Sequence, residues 1–283
     1  MKCIHCYDES CISNKEELSL KDFKYVIDEL DRYGIKNIQL IGGEPLIASD
    51  ITDMLRYAAD KIKSVTLFTN ASLITENIAA ILKQHHIKIA ISVYSCLSEM
   101  HDKVTQVTES HKQTIHGTGL LKKYNIKFRI ANVQMNGITI GDKNTELFEI
   151  KNGDIVRLSG RANGKLLNYK LILQKLITLE NFKPILEKRY VKNSVSGNNC
   201  FLSKLYVASN MNVYPCVMER RLCHGNLKNK PVLDIINSRI CSFNKDHVEG
   251  CKDCEFRFVC FDCRPNTMTG KVNEKTLVLH ISS

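Results

Sequence analysis

The chain has 283 residues, of which 43% are hydrophobic and 25% charged, and its formal net charge is +10. This composition is that of a globular protein and excludes a disordered or fibrous chain. No apolar run reaches the length of a membrane span and no signal peptide opens the chain, so we expect a cytoplasmic protein with no membrane partner. Basic and acidic residues are mixed without interleaved aromatics, which predicts no nucleic-acid partner.

Helices and short apolar strands alternate from Cys11 to about residue 160. Ser19 and Thr75 are polar residues of the kind that cap helix N-termini. Strands separated by helices of ten to fifteen residues predict parallel pairing, and near-continuous apolar runs predict strands covered on both faces. The predicted helices are 21–33, 50–62, 75–84 and 109–124, and the predicted strands are 37–41, 64–69, 88–93, 127–135 and 154–159.

The chain contains twelve cysteines, three in its first eleven residues and eight from Cys200 onward. In a reducing compartment, this number argues against a disulfide framework and for a metal or cluster site. The two groups of cysteines therefore predict two places where metal chemistry occurs.

The first group precedes a glycine-rich turn. Cys3 and Cys6 are followed by Tyr7, and the sequence 42–45, Gly-Gly-Glu-Pro, comes directly after a predicted strand. Together these motifs resemble the signature of the radical S-adenosylmethionine (SAM) family, C-x3-C-x2-C-aromatic. The resemblance implies a 4Fe-4S cluster whose open iron binds SAM, with Cys3 and Cys6 as two of its three thiolate ligands.

The first thiol of that signature would lie four residues before Cys3, ahead of Met1. A cubane cluster with one of its three thiolates removed should be labile or absent. We therefore expect that the chain is truncated at its N-terminus and that Met1 is an internal methionine. Cys11 is the nearby substitute, but its spacing would need a different loop.

Further motifs of the resemblance follow successive predicted strands, where parallel α/β proteins bind ligands. Thr69-Asn70-Ala71 is similar to the family's Thr-Asn-Gly, and Ser92 ends the next strand. The sequence 101–105, His-Asp-x-x-Thr, either shapes the site or forms a hydrogen-bond cluster in a loop. An Arg-x-x-x-Arg pair is suited to a carboxylate, although surface ion pairs are the alternative. The SAM-binding residues that the resemblance implies are Gly42, Gly43, Glu44, Pro45, Thr69, Asn70, Ser92, Arg157 and Arg161.

The second group of cysteines resembles the SPASM extension of radical SAM peptide maturases, which holds auxiliary 4Fe-4S clusters. A short hairpin is predicted between its first two cysteines, and two Cys-x2-Cys pairs follow. By spacing alone the two pairs also suit zinc. Met211 replaces a glycine usual in the hairpin, a mild change because Asn210 and Asn212 can adopt turn geometry. The ligands implied here are Cys200, Cys216, Cys251, Cys254, Cys260 and Cys263.

The SPASM pattern has one more cysteine after Cys263, and this sequence has none. Two clusters would then each lack a fourth thiol. Cys223 and Cys241 could complete them, or a single cluster could use the compact run. The sequence leaves these alternatives open.

The fold class implied is α/β: a partial (β/α)6 radical SAM barrel followed by a small cysteine-rich iron–sulfur domain. We expect the barrel at 1–165, a helical connector at 166–198 and the SPASM-type domain at 199–283.

The resemblance implies a radical SAM peptide maturase. Such an enzyme cleaves SAM reductively to a 5'-deoxyadenosyl radical, which abstracts hydrogen from a ribosomally made precursor peptide that becomes cross-linked or otherwise oxidised. The expected partners are that peptide and an electron donor such as flavodoxin or ferredoxin. Two alternatives remain: a maturase of a folded protein such as a sulfatase, and an inactive remnant that binds iron–sulfur clusters or zinc.

Overall fold

A computed structural model describes part of the chain, and the chain divides into two compact units, Met1–Val156 and Arg157–Ser283. Among the described residues no helix is both long and apolar enough to span a membrane. The described residues are 1–7, 16–142, 154–155, 188–197, 204–218, 220, 223–238, 244–247, 252–255 and 257–258.

The helices of the first unit begin at residues whose side chains satisfy free backbone amides. The Ser19 hydroxyl accepts from the Asp22 amide at 3.1 Å, and the Thr75 hydroxyl accepts from the Ile78 amide at 3.3 Å. These contacts confirm both predicted caps. The helices are α1 (Leu20–Arg32), α2 (Ile51–Lys61), α3 (Glu76–Gln84), α4 (Ser98–Thr105) and α5 (Ser110–Lys123), with a 3-10 helix at Pro45–Ile47.

Four strands of the first unit form a parallel sheet in the order β1-β2-β3-β4. Its central strands are buried and packed by apolar residues of the helices, including Leu55, Leu82 and Leu121, each fully buried. The parallel pairing and the alternation of helices with strands confirm the predicted α/β class. The strands are β1 (Asn37–Leu40), β2 (Ser64–Thr69), β3 (Lys88–Ser92) and β4 (Phe128–Ala131).

The strand predicted at 127–135 is wrong as a single element. It breaks at Asn132, whose side-chain amide donates to the Val93 carbonyl at 2.6 Å. Beyond the break, β5 (Val133–Gln134) pairs in parallel with β6 (Asp154–Ile155) as a separate two-stranded sheet. Within the described residues the sheet is therefore open, and no closed barrel is present.

The α4 helix was not predicted from the sequence. It lies between β3 and α5, and its C-cap residue, Gln106, has a left-handed φ of 59°. Its end accepts hydrogen bonds from the first residues of the chain, a contact that no local pattern could indicate.

In the second unit the predicted hairpin is present. Strand β7 (Tyr206–Val207) pairs antiparallel with β8 (Asn212–Tyr214), which also pairs with β9 (Gly225–Asn226). The described helices of this unit are α6 (Lys188–Ser196) and α7 (Val232–Ser238), with a 3-10 helix at Lys245–His247.

Candidate functional site

The carboxyl ends of the parallel strands place several of the predicted site residues at one edge of the sheet. Leu40 aligns with Leu67 across β1 and β2, and Thr69 aligns with Ile91 across β2 and β3. The loops that follow these strands therefore emerge side by side. They contain the motif 42–45, Asn70 directly after the last β2 residue Thr69, and the residues after Ser92.

Glu44 joins two of these loops. Its carboxylate accepts from the Thr69 hydroxyl at 2.6 Å, from the Asn70 amide at 2.8 Å and from the Leu46 amide at 3.2 Å. Burial raises the pKa of Glu44, while these three hydrogen bonds oppose the rise by favouring the carboxylate. Gly42 and Gly43 in the same loop are exposed, so their backbone is accessible to a ligand.

The loop after β2 is fixed from both sides. The Asn70 side chain accepts from the Ser72 amide at 2.9 Å, and the Thr114 hydroxyl of α5 donates to the Asn70 carbonyl at 2.9 Å. Ala71 has a φ of 63°, a left-handed conformation that glycine adopts without strain. This explains why glycine is common at the corresponding position of the similar motif.

The two N-terminal cysteines lie on one short turn. The Cys6 amide donates to the Cys3 carbonyl at 3.2 Å, and both side chains are half-buried. Tyr94, two residues beyond β3, is buried beside them. Its pKa is raised well above its usual value by burial first and also by Cys3 and Cys6, while a hydrogen bond with Ser92 lowers it. Tyr94 contacts the cysteine turn directly through the ring of His5.

Sequence reasoning missed Tyr94 and His5. Their rings pack against each other with centroids 4.7 Å apart, and both residues are more than nine-tenths buried. The available signal was the position of Tyr94 directly after a buried strand and next to Ser95, in a loop already expected at the ligand edge.

The His-Asp-x-x-Thr motif forms a hydrogen-bond cluster between α4 and α5. The Asp102 carboxylate accepts from the Ser110 hydroxyl at 2.7 Å and from the His111 amide at 2.8 Å. The Thr105 hydroxyl lies 2.6 Å from that of Ser110. Burial is the main cause that lowers the pKa of His101 to about 4, so its imidazole is neutral near pH 7.

The N-terminal turn carries side chains of the type that bind iron–sulfur clusters. Cys3 and Cys6 supply two thiols on one anchored turn, and thiolates are the ligands of such clusters. In the part of the chain that the structure describes, no three metal-binding side chains converge. The described residues thus provide two of the three thiolates that the sequence resemblance implies.

In the second unit, Cys216 follows β8 and Cys223 precedes β9, where its thiol lies 3.5 Å from the Gly225 carbonyl. Cys254 is exposed. Met211 has a φ of 70°, so the left-handed turn residue is the methionine itself and not one of its asparagine neighbours, which corrects our expectation for this hairpin. The other predicted site residues lie outside the described residues: Arg157, Arg161, Cys200, Cys251, Cys260 and Cys263.

Comparison with known proteins decides the family. The sequence profile of the radical SAM superfamily matches residues 1–148, which is more than half of the chain. The chain belongs to the radical SAM superfamily. A second profile, the SPASM iron–sulfur cluster-binding domain, matches residues 200–255. Domains of these two kinds bind 4Fe-4S clusters, and the radical SAM domain also binds SAM.

Two curated relatives match the N-terminal part of this radical SAM protein. The antilisterial bacteriocin subtilosin biosynthesis protein AlbA of Bacillus subtilis is 32% identical over 133 residues, which cover 46% of this chain and 30% of AlbA. The AdoMet-dependent heme synthase of Methanosarcina barkeri is 30% identical over 132 residues, which cover 46% of this chain and 38% of the synthase. The match therefore spans less than two fifths of either relative.

The fold is also similar to that of a solved radical SAM structure, native anSMEcpe with bound AdoMet and the Cp18Cys peptide. The TM-score is 0.61 at 16% sequence identity, and the match covers 92% of this chain and 84% of anSMEcpe. At this identity the comparison establishes the fold.

Proposed function

We propose that the chain is a radical SAM peptide maturase that cleaves SAM reductively and oxidatively modifies a ribosomally made precursor peptide, which becomes cross-linked or otherwise oxidised. The observation that carries the proposal is the arrangement at one edge of the sheet. There Glu44 connects the Gly-Gly-Glu-Pro loop to Thr69 and Asn70, while Tyr94, in the loop after β3, packs against His5 of the cysteine turn. A SPASM match in the same chain and the name of the relative AlbA favour a peptide as the substrate.

In this proposal Cys3 and Cys6 would hold the 4Fe-4S cluster, and that group would supply the electron for reductive cleavage of SAM. The exposed backbone of Gly42 and Gly43 would hold the amino group of SAM. The Glu44 carboxylate keeps that loop at a fixed position relative to Asn70, because it accepts hydrogen bonds from the Leu46 amide in the loop after β1 and from the Asn70 amide in the loop after β2. Ser92 contributes a hydroxyl near the same edge.

The remaining residues that the sequence predicts extend the proposal. Pro45 opens the 3-10 helix after the glycine pair and limits the conformations of that loop. Arg157 and Arg161 would bind a carboxylate of SAM or of the substrate. Auxiliary clusters would be held by cysteines of the SPASM match, and an electron donor such as flavodoxin or ferredoxin would reduce the SAM-binding cluster.

The name of one relative favours a second candidate. The AdoMet-dependent heme synthase matches with nearly the same identity and extent as AlbA, so a tetrapyrrole is the alternative substrate. The two candidates share the use of SAM and differ in the substrate that is modified.

The test is 5'-deoxyadenosine release after anaerobic reconstitution with iron and sulfide, with SAM and a strong reductant. The 283-residue chain is compared with a version extended ahead of Met1 by a Cys-Asn pair and with a Cys3→Ala/Cys6→Ala control. Release by either of the first two chains, absent from the control, supports the proposal. No release from any chain, despite bound iron, indicates an inactive cluster-binding remnant.

Substrate arms then separate the candidates. The precursor peptide encoded nearest to the gene, a folded sulfatase and an iron porphyrin are each added to the active chain. A mass change in the peptide supports the peptide maturase, and a change in the sulfatase supports the folded-protein alternative. A change in the porphyrin alone supports the tetrapyrrole candidate and overturns the other two.

A further inference from the structure

The N-terminal cysteine turn is attached to the last turn of α4. The Lys2 amide donates to the Thr105 carbonyl at 3.0 Å, and the Ile4 amide donates to the Val104 carbonyl at 2.9 Å. Carbonyls in the last turn of a helix have no partner within the helix. The chain on either side of Cys3 is therefore held by the end of α4, and the position of this cysteine depends on where that helix ends.

The end of α4 is in turn fixed by Asp102. Its carboxylate accepts from the Glu109 amide at 2.6 Å, in addition to the Ser110 hydroxyl and the His111 amide. Glu109 occupies the N-cap position of α5 without a side-chain cap of its own. Asp102 therefore caps α5 from the neighbouring helix, where a carboxylate is also favoured by the helix dipole.

Buried rings make a second connection between the same elements. Tyr94 packs against His5 of the cysteine turn and against His101 of α4, with ring centroids 4.7 and 5.5 Å apart. His101 in turn packs against His111 of α5, with centroids 5.3 Å apart. The His101 Nδ1 atom lies 3.2 Å from the Ser110 hydroxyl, so the ring series ends in the cluster that Asp102 organises.

We propose that Asp102, together with His101 and Thr105, is a positioning unit that holds the Cys3 to Cys6 turn in its ligand-ready geometry before a cluster is bound. The inference depends on the proposed function only for the identity of the group that the cysteines bind. The three residues act through the turn and are not catalytic residues. A purely structural role would stabilise the α4 and α5 corner without a specific effect on residues 1–7.

The experiment is hydrogen–deuterium exchange on the metal-free full chain, read by mass spectrometry at the Ile4 amide. Asp102→Asn replaces one carboxylate oxygen by a donor, so one of the amides or the hydroxyl it accepts from is left unsatisfied. We expect exchange at Ile4 to rise at least tenfold, with exchange in β2 and β3 unchanged. Asp53→Asn is the matched control, since Asp53 pairs with Arg56 on the exposed face of α2.

Thr105→Val is the second variant, and it keeps the carboxylate while removing the hydroxyl next to Ser110. Faster exchange at Ile4 in either variant, with β2, β3 and the control unchanged, supports the proposal. Unchanged exchange at Ile4 in both variants overturns it; if exchange in α5 rises at the same time, Asp102 caps α5 only. A uniform rise across the first unit also overturns it. Since no SAM is present, these results are independent of whether the chain cleaves SAM.

Discussion

The Thr69 hydroxyl donates a hydrogen bond of 2.6 Å to the carboxylate of Glu44, across 25 residues of sequence. This bond and the one from the Asn70 amide join the loops that follow β1 and β2. The two motifs that define the SAM-binding edge in our proposal are therefore not independent. A change in Glu44 should alter the loop after β2 as well as its own.

Replacing Glu44 tests this dependence. In Glu44→Gln an amide group replaces one oxygen and faces a donor, so we expect the free energy of unfolding to fall by about 1–3 kcal/mol. Urea denaturation of the metal-free chain measures it. Glu76→Gln is the control, because Glu76 pairs with Lys123 on the surface, where such pairs contribute little. Equal stability of the Glu44 variant and the parent would contradict the bridging role.

Gly117 packs α5 against the loop after β2. A Cβ atom at this position would overlap the carbonyl oxygen of Ala71, whereas at Gly119 of the same helix it would meet open space. We expect Gly119→Ala to raise the unfolding free energy by about 0.5–1 kcal/mol, the usual preference of a helix for alanine. Gly117→Ala should lower it despite the same preference. A stabilising Gly117→Ala in thermal denaturation would show that α5 moves freely relative to this loop.

The buried His101 predicts a pH dependence. Its pKa in the folded protein is about 4, below the ordinary value of 6.5, chiefly because of burial and then the neighbouring His111. Between pH 6.5 and pH 4, His101 is therefore protonated in the unfolded chain but not in the folded chain. Folding stability is lost as the pH falls through this range. A difference of this size corresponds to roughly 3 kcal/mol at most.

His101→Asn should therefore lose less stability than the parent between pH 7 and pH 4, measured by urea denaturation at each pH. His111 has its pKa lowered in the same direction and is retained in both proteins, whereas the lowered pKa of Asp102 acts below pH 3.8. Tyr94 titrates far above this range. His116→Asn on the exposed face of α5 is the control. Identical pH slopes for all three proteins would refute the assignment.

The cysteine turn gives a direct test of cluster ligation. In whichever chain releases 5'-deoxyadenosine, we expect Cys6→Ala to abolish release, because a cubane cluster loses stability with each thiolate removed. Cys96→Ala, which changes a half-buried cysteine outside the motif, should retain it. Product is measured by liquid chromatography after anaerobic reconstitution. Continued turnover by the Cys6 variant would refute the ligand assignment.

Met211 combines a strained backbone conformation with a buried side chain. A left-handed φ costs a residue other than glycine roughly 1–2 kcal/mol, but truncating a buried methionine costs about 2–5 kcal/mol. Since Met211 is 1% exposed, we expect Met211→Gly to destabilise the hairpin even though it relieves the strain. Thermal unfolding of the full chain measures the effect, with the exposed Asn229→Gly as the control. A higher melting temperature for Met211→Gly would show that backbone strain outweighs the burial of the methionine side chain.

The sequence by itself determined most of the elements and the family. Apolar runs separated by capped helices predicted β2 at 64–69 and the caps Ser19 and Thr75, because strand burial and helix capping are decided by neighbouring residues. The cysteine spacing and the Gly-Gly-Glu-Pro motif indicated the family that the profile comparison established. The roles of the individual site residues remain predictions.

The tertiary structure decided what the side chains contact. Asn132 interrupts a run that is strand-like throughout, because its amide bonds to a carbonyl 39 residues away. The polar helix α4 has its last turn satisfied by the N-terminal turn, and Asp102 caps a helix other than its own. Periodicity reports which face of an element is buried, but hydrogen-bond partners distant in sequence are set only when the strands align and their ends converge.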